Sequence, residues 1–312
     1  MRSLVKALVV IIIVAIIAGV VAYYFLFKGV RGVVNVSGIE LWVNPSEVTE
    51  AATPVEVHIH VNNSFPVGVK IDSGSLKIIL SDLTLATVNI PAQEVRPGAT
   101  TLLVNAILDN TLLDDFWYRH LSSEEKSDMS IEGSIKVSTP MGVLDIPVKY
   151  SSIIETRSFP IRQELNREYD AGILGKVIIR KLILELVEIT PSETKLKASI
   201  TIENSLKMIP LYINWIVFNV KTGGGVTLGI GEQEIPKLIA PGEVDTVVFY
   251  IVIDNSKIPK LWIEHLRNKE KTTINIEVWL RVKIAEISIE IFREHPLTAS
   301  TEFETNIFKY KT

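Results

Sequence analysis

The chain has 312 residues, 47% of them apolar, with 32 Lys and Arg against 36 Asp and Glu and no cysteine. A net charge of −4 gives no broad basic surface for nucleic acid, and the missing thiols exclude disulfides, thiol catalysis, iron–sulfur clusters and cysteine-based zinc sites. The length suggests about two domains, and the scarcity of Gln (93, 163 and 233 only) and Met beside abundant Ile, Val, Lys and Glu leans toward heat-adapted composition.

The first element is apolar throughout. Ala7 to Phe27 reads ALVVIIIVAIIAGVVAYYFLF, 21 residues without a charge. As a helix it would measure about 31 Å, the thickness of bilayer hydrocarbon. Tyr23 and Tyr24 near its end suit the membrane interface, and Lys28 and Arg31 follow. A cleaved signal peptide has a shorter apolar core that ends in small residues, whereas this one ends in Tyr-Tyr-Phe-Leu-Phe. The expectation is a single-pass transmembrane anchor over 1–31, with residues 7–27 in the lipid bilayer of the cell membrane. Arg2 and Lys6 nearly balance Lys28 and Arg31, so charge does not orient the span. The remaining chain is expected on the extracytoplasmic side.

Beyond the anchor the period is mostly two. Val55, Val57, Ile59 and Val61 alternate with Glu56, His58, His60 and Asn62, the mark of a strand with one face buried and one in water. Further strands are predicted over 67–80, 101–108, 130–138 and 143–150, with turns at Pro97-Gly98 and Pro140-Met141-Gly142. One segment departs from this period: Leu113, Phe116, Trp117, His120 and Leu121 recur at helical spacing after a Thr111 N-cap. The charged stretch Ile161–Gly175 follows, and its RQELNREY portion is rich in helix formers, predicting a short helical connector.

The same order then returns. Leu196, Ala198, Ile200 and Ile202 alternate with Lys197, Ser199, Thr201 and Glu203, and strands are predicted over 211–220, 245–253, 273–284 and 286–293 around a Gly223-Gly224-Gly225 hairpin tip. Ile258, Leu261, Trp262, His265 and Leu266 form the second helical segment, with Ser256 as its cap and Pro259 in its first turn. A shift of 145 residues superposes Ile90-Pro91 on Ile235-Pro236, Asp109-Asn110 on Asp254-Asn255, Trp117 on Trp262, His120-Leu121 on His265-Leu266 and Glu125-Lys126 on Glu270-Lys271. Register kept at so many positions, Trp included, indicates tandem duplication. The expected fold is mainly β: two tandem antiparallel sandwiches over 38–159 and 181–312, each with one short helix, joined by a connector over 160–180.

An alternating strand ending in Asn-Asn-Ser-Phe-Pro (62–66) is followed by a long strand pair. Ile-Pro (90–91), Pro-Gly (97–98), an apolar strand and a short Trp-containing helix come next. This order resembles the group 2 late-embryogenesis-abundant (LEA14-like) domain, also called the water-stress and hypersensitive-response domain, over nearly all of 38–159 and less fully over 181–309. The family's usual Asn-Pro-Asn is Asn62-Asn63-Ser64 here and Glu203-Asn204-Ser205 in the second copy, so the resemblance rests on order and pattern. It implies an immunoglobulin-like sandwich with one helix, no enzymatic activity, and a part in desiccation and stress tolerance, often from a membrane anchor.

Candidate sites read mostly as structure. His58 and His60 form an H-x-H on one strand face, but the second copy has Ser199 and Thr201 there and no third ligand is evident, so a solvated face is expected and no metal. Trp117 and Trp262 are expected to anchor the helices on a sheet, with His120 and His265 near the helix ends. Asp109-Asn110 and Asp254-Asn255 read as strand-to-helix punctuation, Asn63 and Asn204 as turn residues that satisfy backbone groups, and Pro91 and Pro236 as structural residues kept by the repeat. Asn62-Asn63-Ser64 also fits a glycosylation sequon. No nucleophile elbow, zinc-protease motif or nucleotide fingerprint occurs in the sequence. The expectation is a membrane-anchored, non-enzymatic binding protein without cofactor, shielding unfolded proteins or the membrane surface under desiccation or heat. The alternatives are a structural or adhesive envelope protein that contacts other envelope proteins, and a lipid-binding module.

Overall fold

A computed structural model describes residues 34–139, 142–284 and 286–311, with Ala15, Ile16 and Gly19 from the N-terminal segment. Apart from those three residues, the span read over 7–27 lies outside the described residues. Among the described residues no helix is long and apolar enough to cross a membrane.

The chain is mainly β, in antiparallel sheets with two short helices. The first set of elements is β1 (Val34–Val43), β2 (Ala52–Asn63), β3 (Val69–Leu80), β4 (Leu83–Ile90), β5 (Gln93–Val95), β6 (Gly98–Asp109), α1 (Leu113–Ser122), β7 (Lys126–Thr139) and β8 (Gly142–Glu155). One sheet runs β1-β2-β6; the other runs β4-β3-β7-β8, with β5 also on β3. The alternation read in β2 faces Val55, Val57, Ile59 and Val61 into the core between the sheets, where each buried side chain contributes about 1.5–3 kcal/mol.

The second set is β9 (Ile161–Asp170), β10 (Gly175–Ile189), β11 (Glu193–Leu206), β12 (Leu211–Thr222), β13 (Thr227–Ile239), β14 (Val244–Asp254), α2 (Ile258–Arg267), β15 (Lys271–Ile284), β16 (Ile287–Ile291), β17 (Leu297–Glu304) and β18 (Phe308–Tyr310). Its sheets run β9-β10-β11-β14 and β13-β12-β15-β16, with β17 also on β15. The strand order therefore repeats, β10 standing where β1 stands and β17 where the end of β8 stands. Even a bulge recurs: Ser37 is skipped between Val36 and Gly38, and Arg180 between Ile179 and Lys181.

Each copy gives its tail to the other. After β8 the chain crosses over and β9 lies antiparallel along β10, pairing from Lys176 to Leu184. After β17 it crosses back, and β18 lies parallel on β1 at Leu41, Trp42 and Val43. The helical connector predicted for RQELNREY is thus a strand. Its Ile161, Leu165 and Tyr169 turn toward the core while the charged residues between them face water, and pairing with β10 outweighs intrinsic helix preference.

The helices keep the apolar positions read from their spacing, and they pack against each other. Their starts differ from expectation. Asp109 and Asp254, not Thr111 and Ser256, accept the capping hydrogen bonds, at 2.9 and 3.0 Å, on a 3-10 turn that leads into each helix. Acidic Asp114 and Asp115 open α1, and basic side chains close both helices, each complementing the helix dipole. The Gly223–Gly225 tip is tied down: the Gly224 amide donates to Glu264 Oε1 on α2 at 2.8 Å. A Cβ on Gly224 would sit 2.6 Å from the Glu264 carboxyl carbon.

Candidate functional site

Most residues singled out by the repeat converge where the two copies meet. The indole of Trp117 on α1 donates to Thr194 Oγ1 on β11 at 3.1 Å, and Thr194 donates on to Asn255 Oδ1 at 2.8 Å. The mirror relay runs from Trp262 on α2 to Thr53 Oγ1 on β2 at 3.0 Å, and from Thr53 to Asn110 Oδ1 at 2.9 Å. Asn110 and Asn255 also donate to the carbonyls of Thr49 and Thr190, at 2.7 and 2.9 Å. Each helix is thus bonded to the opposite copy, and each asparagine fixes the loop before its own second strand.

Beneath the indoles lie two sealed imidazoles. His120 bonds Ser127 Oγ at 2.9 Å and Thr156 Oγ1 at 2.8 Å; His265 bonds Thr272 Oγ1 at 3.1 Å and Thr305 Oγ1 at 2.8 Å. Both rings are 0% exposed. Burial pushes each down to about 4, the carboxylate of Glu125 opposing that drop at His120. Neutral imidazoles with both nitrogens engaged are poor proton carriers near neutral pH. Phe303 of β17 joins the two sites, its ring centroid 4.9 Å from His265 and 5.7 Å from Trp117.

Glu125 and Glu270 stand in register in the repeat, with no task for either apparent from the sequence. Both carboxylates are buried and hold the crossing tails. Glu125 accepts from Thr156 Oγ1 at 2.8 Å and from the Ser158 and Phe159 amides; Glu270 accepts from Thr305 Oγ1 at 2.7 Å and from the Ile307 and Phe308 amides at 2.7 and 3.0 Å. Each sits in left-handed backbone, with φ of 60° and 63°, a conformation that costs a non-glycine residue about 1–2 kcal/mol. Strain of that size, repeated in both copies, marks a position fixed by what it holds.

The other singled-out residues lie apart. Asn63 and Asn204 are buried at the ends of β2 and β11. Asn63 donates to the Val67 and Val95 carbonyls, and Asn204 to those of Ile209 and Ile239, while each side-chain oxygen accepts the amide two residues on. Pro91 is exposed in the gap between β4 and β5, and Pro236 in a register shift of β13, places where a missing amide hydrogen does no harm. His58 stacks on Trp42 with centroids 5.0 Å apart and bonds Glu56; His60 bonds Thr101 Oγ1 at 3.0 Å. Among the described residues no three His, Cys, Asp or Glu are grouped as metal ligands.

Among the described residues a cleft of about 880 Å³ opens in the first copy, between β1, β8 and the returning tail. Ile39 and Leu41 form one wall, Met129 and Ile131 the floor, and Tyr150 and Ser152, which pair with Ile131 and Met129 on the inward face, the other wall. Glu40, Glu155, Lys269, Glu304 and Lys309 also line it, so it is a trough in which buried apolar side chains meet a polar, mixed-charge surface. Burial, reinforced by the Glu270 carboxylate, raises the Tyr310 phenol at one end. No sequence pattern marked this cleft.

No protein-family model and no curated protein matches the chain. Among solved structures it is similar to a protein from Archaeoglobus fulgidus, at 20% identity over 42% of this chain and 99% of that one, with a TM-score of 0.37. It is also similar to AT1g01470 from Arabidopsis thaliana, at 15% identity over 40% and 82% of the two chains and a TM-score of 0.28. Red sea bream transglutaminase is similar at 10% identity over 89% and 32%, with a TM-score of 0.21. Likenesses at these identities and scores assign no activity.

Proposed function

We propose that this chain is a membrane-anchored pair of LEA14-like, immunoglobulin-like sandwiches that acts by binding rather than catalysis, shielding unfolded proteins or the membrane surface under desiccation or heat. The observation that carries the reading is the cleft beside β1: such a protein needs accessible apolar surface, and Tyr150 at the cleft wall is 39% exposed. The repeated ionisable groups support it from the other side. His120, His265, Glu125 and Glu270 are committed to internal hydrogen bonds within each copy and its outgoing tail, a structural use that fits binding better than catalysis.

The test uses the full chain in detergent micelles or reconstituted vesicles, mixed with a heat-labile client enzyme and, separately, with liposomes of neutral and anionic lipid. Suppressed client aggregation or liposome binding is the expected result. Failure of both removes the protective role. A second reading, a structural envelope protein, draws on the uncovered part of β1, since free edges pair between subunits. Crosslinking in intact cells that trapped only homotypic or envelope assemblies would favour it.

A further inference from the structure

The two copies differ at one edge. In the second, β9 covers β10 from Lys176 to Leu184. In the first, the equivalent stretch of β1 is Val34 to Leu41, and β18 reaches only Leu41 to Val43. Among the described residues no strand lies on Val34–Glu40, although its other side is paired with β2 throughout except at the Ser37 bulge. The facing wall differs to match. Ala299 of β17 is 0% exposed, whereas Tyr150, its counterpart on β8, is 39% exposed.

We propose that Val34–Glu40 captures an extended polypeptide strand, laid antiparallel on β1 as β9 lies on β10, with alternate side chains in the cleft toward β8. This rests on the binding reading above and names its ligand class. The molecule's own second copy shows what covers this edge: a strand with apolar residues at every fourth position, Ile161, Leu165 and Tyr169, and charged or polar residues between. Main-chain hydrogen bonds would supply affinity and the trough side-chain preference, as in strand addition generally. A strand in β9's register would end where β18 begins, and would set its Arg162 opposite Glu40, where the second copy has Ile183. An acidic side chain on the open edge thus meets a basic one on the occupant.

The probe is a fluorescent peptide of residues 161–170, titrated into the full chain in detergent, with amide exchange followed by mass spectrometry. The expected result is saturable binding that protects Val34–Glu40. Binding should weaken about tenfold or more in Tyr150→Lys, which places a charge against the bound strand, and remain in Tyr150→Phe. A peptide carrying Ile161→Ser, Leu165→Ser and Tyr169→Ser should not bind. Several results would overturn the proposal: no binding, protection of 176–184 instead, Val34–Glu40 already protected in the chain alone, or a peptide-insensitive dimer formed through β1. Because no client or membrane enters this assay, its failure leaves the protective role standing. Peptide binding without client protection would remove that role and leave strand capture.

Discussion

Two edges of one repeated fold have been finished differently. The edge of β10 is covered by a ten-residue strand whose apolar side chains seal the gap to β17. The matching edge of β1 carries a three-residue strand running the other way, and a cleft remains. Both tails leave their own copy from the same kind of clamp, a buried glutamate in left-handed backbone holding two successive amides. The difference lies in direction after the clamp: β9 runs back along its host strand, while β18 runs with it toward the strand's end. Openness here is a property of where a tail goes, not of the sandwich that receives it.

The shared joint gives the largest effects. Trp117→Ala and Trp262→Ala each delete a buried indole and orphan a threonine–asparagine relay, and each should cost about 3–5 kcal/mol in urea unfolding. If the halves are equivalent, the two values agree within about 1 kcal/mol; a much cheaper Trp117→Ala would break the equivalence.

Acid should strike both halves together. His120 and His265 titrate near 4 in the folded chain against about 6.5 unfolded. The unfolded chain binds more protons between those values, so stability is intact above about pH 6.5 and falls as pH drops toward 4. The loss is on the order of 3 kcal/mol per histidine. Urea midpoints at pH 7, 5.5 and 4.5 would show it, and the slope over that window should flatten in His120→Gln/His265→Gln.

The smallest contrast bears most on the open edge. Ala299→Tyr overpacks a sealed site and should cost about 1–3 kcal/mol. The matching Tyr150→Ala, at a wall open to water, should stay within about 0.5 kcal/mol. Equal costs would mean that the first copy is as closed as the second.

Much of this architecture was legible in the sequence. Alternation in 55–61 and 196–202 marked the central strands, and the repeated Leu-x-x-Phe-Trp and Ile-x-x-Leu-Trp spacings marked the helices. The tails were hidden for a physical reason. Ile161, Leu165 and Tyr169 stand four apart, a spacing that serves a helix as well as a strand that buries only every second inward position, and only the partner strand decides. Glu125 and Glu270 stood in register but looked like ordinary surface acids, because nothing in a sequence shows that a carboxylate is buried under a crossing backbone. Thr53 and Thr194 escaped because the relay that gives them meaning runs between copies. The cleft was invisible for the same reason as the tails that shape it.

The most direct measurement is amide exchange on the full chain alone, comparing residues 34–40 with their counterparts 177–183. An open edge predicts that amides of β1 facing away from β2 exchange far faster than the β10 amides bonded to β9. Equal protection along the two stretches would contradict it.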